Sequence, residues 1–247
     1  MSDEFYAPEQ VLVVAAHADD IEFGMAGTVA RWTDAGTKVT YCIVTDNSSG
    51  SNEPGADLAA LVQTRREEQL ASAKVVGVTD VRFLGYRDGT LQPTLELRRD
   101  ITRIIRELRP QVVVTTDPTM VFAMENGYIN HPDHRAAAEA ATYATFPSAE
   151  TRPIFPELLD EGLEPHKVSK LYLQFSAQNN LHVDITDYWE RKAEALLCHV
   201  SQRITDDTIN MVRKWSEAGG KEHGLGLIES FRVMTLHENG DGESTDQ

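Results

Sequence analysis

Two short stretches of this sequence crowd imidazoles and carboxylates together: His17-Ala18-Asp19-Asp20 and Asn130-His131-Pro132-Asp133-His134. His17 and Asp20 stand three apart on a turning backbone and could both reach one metal ion, with Asp19 directed elsewhere in the site. His131 and His134 have the same spacing where a helix opens. Pro132 suits that first turn, because its missing N–H is not needed there. Two histidines and one carboxylate on an ion leave a position open for water, the layout of a hydrolytic zinc site and not of a closed structural one. Zinc lowers the pKa of bound water to about 7, which supplies hydroxide at neutral pH. A nearby carboxylate can accept a proton, and an imidazolium can stabilise a developing oxyanion. Spacing alone also admits another metal, iron above all. Plainer readings exist for each group: Asp20 as a helix cap, Asp133 as a complement to a helix dipole, His17 as a hydrogen-bonded core residue. The placement of both clusters after strands favours catalysis.

The elements that must position these groups alternate strand and helix. Val11 to Ala16 is a short apolar, β-branched run that reads as a strand buried on both faces, and His17 follows it directly. Gly24 to Ala35 reads as a helix stopped by Gly36, and Lys38 to Thr45 as a second strand. Leu58 to Val76 is helical, Val81 to Leu84 a third strand, Leu95 to Leu108 a helix closed by Pro110, and Gln111 to Thr115 a fourth strand. This alternation predicts an α/β, Rossmann-like, mostly parallel sheet flanked by helices. In such sheets reactive groups gather beyond the carboxyl ends of the strands. Further on, Pro132 to Tyr143 reads as a helix. The stretch from Phe146 to Pro165, with Pro147, Pro153, Pro156 and Pro165, reads as a loop and a candidate lid. Val168 to Leu173 and Val183 to Ile185 read as strands, Tyr188 to Val200 and Asp206 to Ala218 as helices. We expect a single domain, with a metal-binding core over about 8–145, a part completing the substrate site over about 146–237, and a flexible tail at 238–247.

Lys+Arg number 23 and Asp+Glu 39, a formal charge of −16, which disfavours nucleic acid or an anionic membrane surface as a partner. The two cysteines, Cys42 and Cys198, are far apart, so a disulfide framework is not expected and a reducing cytoplasm is. No apolar run is long enough to span a membrane, and the acidic start lacks the basic region of a secretory signal.

The stretch Val13-Val14-Ala15-Ala16-His17-Ala18-Asp19-Asp20-Ile21-Glu22-Phe23-Gly24 resembles the AHPDD-containing N-terminus of the PIG-L/LmbE deacetylases. His131-Pro132-Asp133-His134 is similar to their HPDH-type motif. Arg65-Arg66-Glu67-Glu68 resembles the family's RREE helix, and Phe83-Leu84-Gly85-Tyr86-Arg87-Asp88-Gly89 its FLGYxDG segment. Lys192 to Leu196 with His199, Ser201 and Gln202 resembles a later helix, and Glu229-Ser230-Phe231 a late AExF segment. Ala18 departs from the family's usual proline, which loosens the turn. The resemblance implies zinc, with iron possible, held by His17, Asp20 and His134. It implies Asp19 as general base toward the metal-bound water, and His131 stabilising the tetrahedral intermediate or protonating the leaving amine. Asp133 would hold His131 in orientation. The implied substrate is a small N-acetylglucosamine-type conjugate, deacetylated to a free amine and acetate by a homo-oligomer, a trimer or hexamer.

By the same resemblance Arg65 and Asp88 would touch the sugar, although a helix-surface charge and a turn residue are equal alternatives. Asn130 and Tyr128 precede the second cluster and could reach the site, Asn130 to touch the substrate, with structural roles as equal alternatives. His182 and His199 read as non-ligands, with a subunit contact the alternative for His199. The glycines Gly24 and Gly27 do not make a dinucleotide loop, because His17 to Asp20 occupies that turn. Two other functions compete: hydrolysis of a different amide, in a thiol conjugate or an acylated antibiotic, and a non-catalytic metal-binding module. Asp19 and His131 argue against the second, since neither is needed merely to hold an ion.

Overall fold

A computed structural model describes residues 5–123 and 127–238. Nine strands run in chain order as β1 Gln10–Ala15, β2 Lys38–Thr45, β3 Asp80–Tyr86, β4 Val112–Thr116, β5 Phe122–Ala123, β6 Tyr128–Ile129, β7 Lys170–Gln174, β8 Leu181–Asp184 and β9 Ile228–Thr235. The helices are α1 Asp20–Asp34, α2 Leu58–Val75, α3 Leu95–Leu108, α4 Pro132–Tyr143, α5 Glu157–Asp160, α6 Trp189–Leu197 and α7 Asp206–His223. Seven strands form one sheet in the order β3-β2-β1-β4-β7-β9-β8, and β5 and β6 make a separate hairpin. The pairings from β3 across to β7 are all parallel, while β9 lies antiparallel between β7 and β8. The expected α/β, mostly parallel architecture is the one found.

Strand β1 shows why its sequence is apolar throughout. Val11, Val13 and Ala15 join one core, and Leu12, Val14 and Ala16 join the other. Successive residues of a strand point to opposite faces, so a strand covered on both sides needs no polar alternation. The first core takes Ile21, Met25 and Val29 from α1 with Trp189 and Leu196 from α6. The second takes Leu97, Ile101 and Ile105 from α3 with Ala137 and Ala141 from α4. Side chains close the helix starts, as where Thr94 Oγ1 accepts from Leu97 N at 3.2 Å at the start of α3.

The chain leaves β1 toward β2 on one side, while β4 lies on the other, so a crevice opens beyond the carboxyl ends of β1 and β4. Both chemical clusters follow those two strands.

Three departures from the sequence reading have physical causes. Helix α1 starts at Asp20, not Gly24, because Asp19 takes a left-handed conformation (φ 86°, ψ −25°) that turns the chain straight out of β1. Helix α7 runs on to His223 through two glycines that are not breakers here. A Cβ on Gly220 would lie 1.7 Å from the Gly226 carbonyl oxygen, so this glycine permits a close backbone approach. Strand β9 was not expected, since its polar residues break the apolar pattern. One of them, Glu229, is buried and ionised partners explain it. Lys192 Nζ lies 2.5 Å from Glu229 Oε1 and donates to the Phe23 carbonyl at 2.9 Å, while Glu229 accepts from Gly27 N at 3.0 Å and Thr28 N at 2.6 Å. Phe23 C=O and Gly27 N–H are partners in a regular helix. Here both also reach an ion pair contributed by α6 and β9.

The hairpin of β5 and β6 was likewise not expected. Of the expected tail, only Glu238 lies within the described residues. Among the described residues no helix is long and apolar enough to cross a membrane.

Candidate active site

The turn after β1 and the start of α4 bring three imidazoles together. Ring centroids lie 4.8 Å apart for His17 and His131, 5.2 Å for His17 and His134, and 5.4 Å for His131 and His134. Their potential ligand nitrogens all lie within 4.8 Å of one another. Asp20 reaches back into this group. Its Oδ2 accepts from His17 N at 2.8 Å and lies 3.7 Å from His17 Nδ1, and its Oδ1 lies 3.0 Å from His134 Nε2.

Hydrogen bonds fix which nitrogen each ring offers. Asn130 Nδ2 donates to the Met120 carbonyl at 2.8 Å, so Asn130 Oδ1 must face the other way, 3.0 Å from His134 Nδ1. That Nδ1 therefore carries a proton, and Nε2 is the nitrogen turned to Asp20. His17 Nε2 donates to Asp88 Oδ1 at 3.0 Å and faces Asp133 Oδ2 at 3.5 Å, which leaves Nδ1 on the Asp20 side. His131 differs. Its Nδ1 accepts from Asp133 N at 3.2 Å, so its Nε2 keeps the proton. Two rings thus offer a nitrogen to a shared carboxylate, and the third offers an N–H.

The electrostatics follow from this layout. Burial works against a charged His17, but Asp133, Asp88 and Asp20 prevail and push its pKa up to about 10. His134 is also raised, burial being outweighed by Asp20. His131 goes down, through burial and the charge of His17. Asp20 is held low against its burial by His134 and His17, whereas burial and the charge of Asp20 raise Asp19. His17 and His134 thus both sit in a negative field, and each turns one nitrogen toward Asp20. The cluster is one that could hold a metal ion, with nitrogen and oxygen donors of the kind zinc and iron take. Behind them stand hydrogen-bonded carboxylate and amide partners, as metal-binding histidines require.

Several expected positions are changed by these contacts. Asp133 does not hold the His131 ring through its carboxylate. That carboxylate accepts from Gly89 N at 2.7 Å and Leu91 N at 3.1 Å and faces His17. Asp88 was expected against the sugar, yet both its oxygens are engaged, one by His17 and the other by Ser49 N at 2.9 Å. Asn130, expected at the substrate, orients His134. Arg65 is buried beneath the loop after β2, where Nη1 donates to the Asn47 carbonyl at 3.3 Å and a Cβ on Gly50 would lie 2.0 Å from Nη2.

His199 is fully buried, 3.4 Å from Glu22 Oε2. His182 stacks on His223 at 3.5 Å, outside the cluster. Glu22, Gln69 and Asn47 support the turn and were not singled out for this from the sequence. Glu22 and Gln69 are polar residues on buried faces of α1 and α2, which points to a partner without naming it, and Asn47 in the loop after β2 carried no such signal.

Residues 12–145, which span both clusters, match the model of the PIG-L family, GlcNAc-PI de-N-acetylase. The chain belongs to this family. Among PIG-L relatives, diacetylchitobiose deacetylase of Thermococcus kodakarensis is 32% identical over 206 residues, 82% of this chain and 73% of that protein. A probable N-acetyl-alpha-D-glucosaminyl L-malate deacetylase 2 of Bacillus anthracis is 31% identical over 205 residues, 80% of this chain and 83% of that one. The solved N,N'-diacetylchitobiose deacetylase of Pyrococcus horikoshii superposes with a TM-score of 0.83 at 31% identity, covering 95% of this chain and 88% of that chain. The PIG-L likeness thus extends from the sequence motifs to the whole described fold.

Proposed function

We propose that this protein hydrolyses the acetamide of an N-acetylglucosamine-type conjugate, with zinc as the ion held by His17, Asp20 and His134. The observation that carries the reading is the hydrogen-bond assignment of the three rings. His17 Nδ1 and His134 Nε2 are both turned to Asp20, while His131 keeps an N–H. When bound there, a divalent ion supplies Lewis acidity toward the amide carbonyl and acidifies water.

The chain's own groups do the rest. Asp19 accepts the proton from the attacking water. His131 Nε2–H donates to the carbonyl oxygen as negative charge develops there. Asp19 then passes the proton it took from the water to the departing amine, and acetate leaves. Asp88, Asp133 and Asn130 keep the rings in the tautomers this sequence of events needs.

The substrate class rests on the relatives. Those named for diacetylchitobiose, for a malate conjugate and for an inositol conjugate share the N-acetylated glucosamine and differ in what it carries. The test is amine release from diacetylchitobiose, with and without a chelator, by the wild type and Asp19→Ala. We expect chelation to stop the reaction and Asp19→Ala to lose at least about 100-fold in kcat while keeping its metal. Full turnover by Asp19→Ala would remove the base assignment, and chelator-resistant turnover would remove the metal.

A further inference from the structure

The peptide that joins Ala18 to Asp19 is gripped on both sides by glutamine side chains. Gln202 Nε2 donates to its carbonyl oxygen at 2.8 Å, and Gln69 Oε1 accepts from its N–H at 3.2 Å. One residue earlier, Asn47 Oδ1 accepts from Ala18 N at 2.7 Å. The three amides come from three places in the chain: the loop after β2, helix α2, and the turn after α6.

Each amide is itself held in one orientation or on a fixed support. Gln69 Nε2 donates to Glu22 Oε1 at 2.8 Å, so its oxygen must face Asp19. Asn47 Nδ2 donates to the Thr45 carbonyl at 3.2 Å, so its oxygen must face Ala18. The turn carrying Gln202 is tied to α2 by Glu68, which accepts from Ser201 N and Ser201 Oγ, both at 2.7 Å.

The residue these amides hold is in an unusual state. Asp19 has φ 86° and ψ −25°, a left-handed conformation uncommon for any residue but glycine, although aspartate tolerates it better than most. It occupies the N-cap of α1, yet its side chain makes no capping hydrogen bond. Asp20 serves the backbone instead, by accepting from His17 N at 2.8 Å. The conformation therefore does not cap the helix. Its effect is to leave the Asp19 carboxylate free of the helix start.

We propose that Gln202, acting with Gln69, is a positioning residue for proton transfer: their clamp on the Ala18–Asp19 peptide imposes the left-handed turn that keeps the Asp19 carboxylate available as base. This rests on the reading of Asp19 given above. Gln202 touches backbone alone and is no catalytic residue. It lies about three-quarters of the chain's length away from Asp19, which ties the late part of the sequence to the chemistry of the first turn.

The test compares Gln202→Leu and Gln69→Met with the wild type, using diacetylchitobiose. Misplacing a catalytic group by about 1 Å costs on the order of 100-fold, so a partly released turn should lower kcat by about 10–100-fold. KM should stay within about twofold, and metal content should be unchanged, because no ligand side chain is touched. In the Asp19→Ala background, Gln202→Leu should cause no further loss. In the metal-free protein, hydrogen exchange at the Ala18 and Asp19 amides should speed up in both variants. An unchanged kcat, a loss of metal parallel to the loss of activity, or full multiplication of the two losses in the double variant would each overturn the proposal. An unchanged kcat in Gln202→Leu beside an inactive Asp19→Ala removes the clamp alone, whereas an active Asp19→Ala removes the base reading beneath it.

Discussion

Breaking the Lys192–Glu229 pair should destabilise the protein, and the two single variants should differ in a direction the geometry sets. Both side chains are buried, and removing one member of a buried pair costs about 3–5 kcal/mol, because the other charge is left behind. Glu229→Leu strands the Lys192 ammonium with a single acceptor, the Phe23 carbonyl, and also leaves Gly27 N–H and Thr28 N–H without that carboxylate. Lys192→Met strands a carboxylate that still accepts from two backbone N–H groups. We therefore expect Glu229→Leu to cost about 4–5 kcal/mol and Lys192→Met about 2–3 kcal/mol. For a chain of this size each kcal/mol moves Tm by about 2–4 °C, so the losses are about 8–20 °C and about 4–12 °C. The double variant Lys192→Met/Glu229→Leu should be no worse than Glu229→Leu alone. Thermal unfolding at neutral pH, with and without metal, measures all three. A melt of Glu229→Leu within 2 °C of wild type, or a larger loss for Lys192→Met, would show that this pair does not bind α1 to β9 as described.

Asp88→Asn removes the carboxylate charge that His17 Nε2 donates to, and metal affinity, read by chelator competition, should fall by about 10–100-fold. His199 is held above its ordinary 6.5, since Glu22, with Asp19 and Glu68, outweighs the burial that opposes its charge. Its stabilisation is thus fully present below about pH 6.5 and lost as pH rises through the folded value. The stability gap between wild type and His199→Asn should accordingly narrow in denaturant titrations from about pH 6 to pH 9; a gap that widens would reverse the sign. Gly220→Ala drives a Cβ into the Gly226 carbonyl, at 1.7 Å, and should cost about 1–3 kcal/mol in the same titrations.

The parts of this molecule that repeat a simple rule were legible in the sequence. Apolar β1 and β2, the amphipathic α3 and the Pro132 start of α4 each follow from local pattern, and the His–Asp clusters stand at the strand ends where an open sheet puts its chemistry. What escaped is what tertiary contact decides. Strand β9 carries a buried glutamate that only Lys192 and the α1 backbone make tolerable, so its pattern alone does not read as interior strand. Helix α7 looked finished before its glycines because a one-dimensional pattern cannot show Gly226 pressing against Gly220. The contacts of Asp88 and Asp133 were not legible for a like reason. Motif spacing shows that a carboxylate is near, but whether it faces sugar or the rear of His17 depends on which backbone N–H groups take up its oxygens.

The position of β9 sets a schedule for the nascent protein. Six of the seven sheet strands are synthesised before it, yet it sits inside the sheet, and β8 touches the rest of the sheet through it alone. Until residues 228–235 emerge, β7 presents an open edge and Lys192 and the α1 backbone lack Glu229. An emerging chain thus carries a nearly assembled His–Asp cluster beside a helix that is not yet fastened, and its exposed strand is the place where a stalled or shortened product would aggregate.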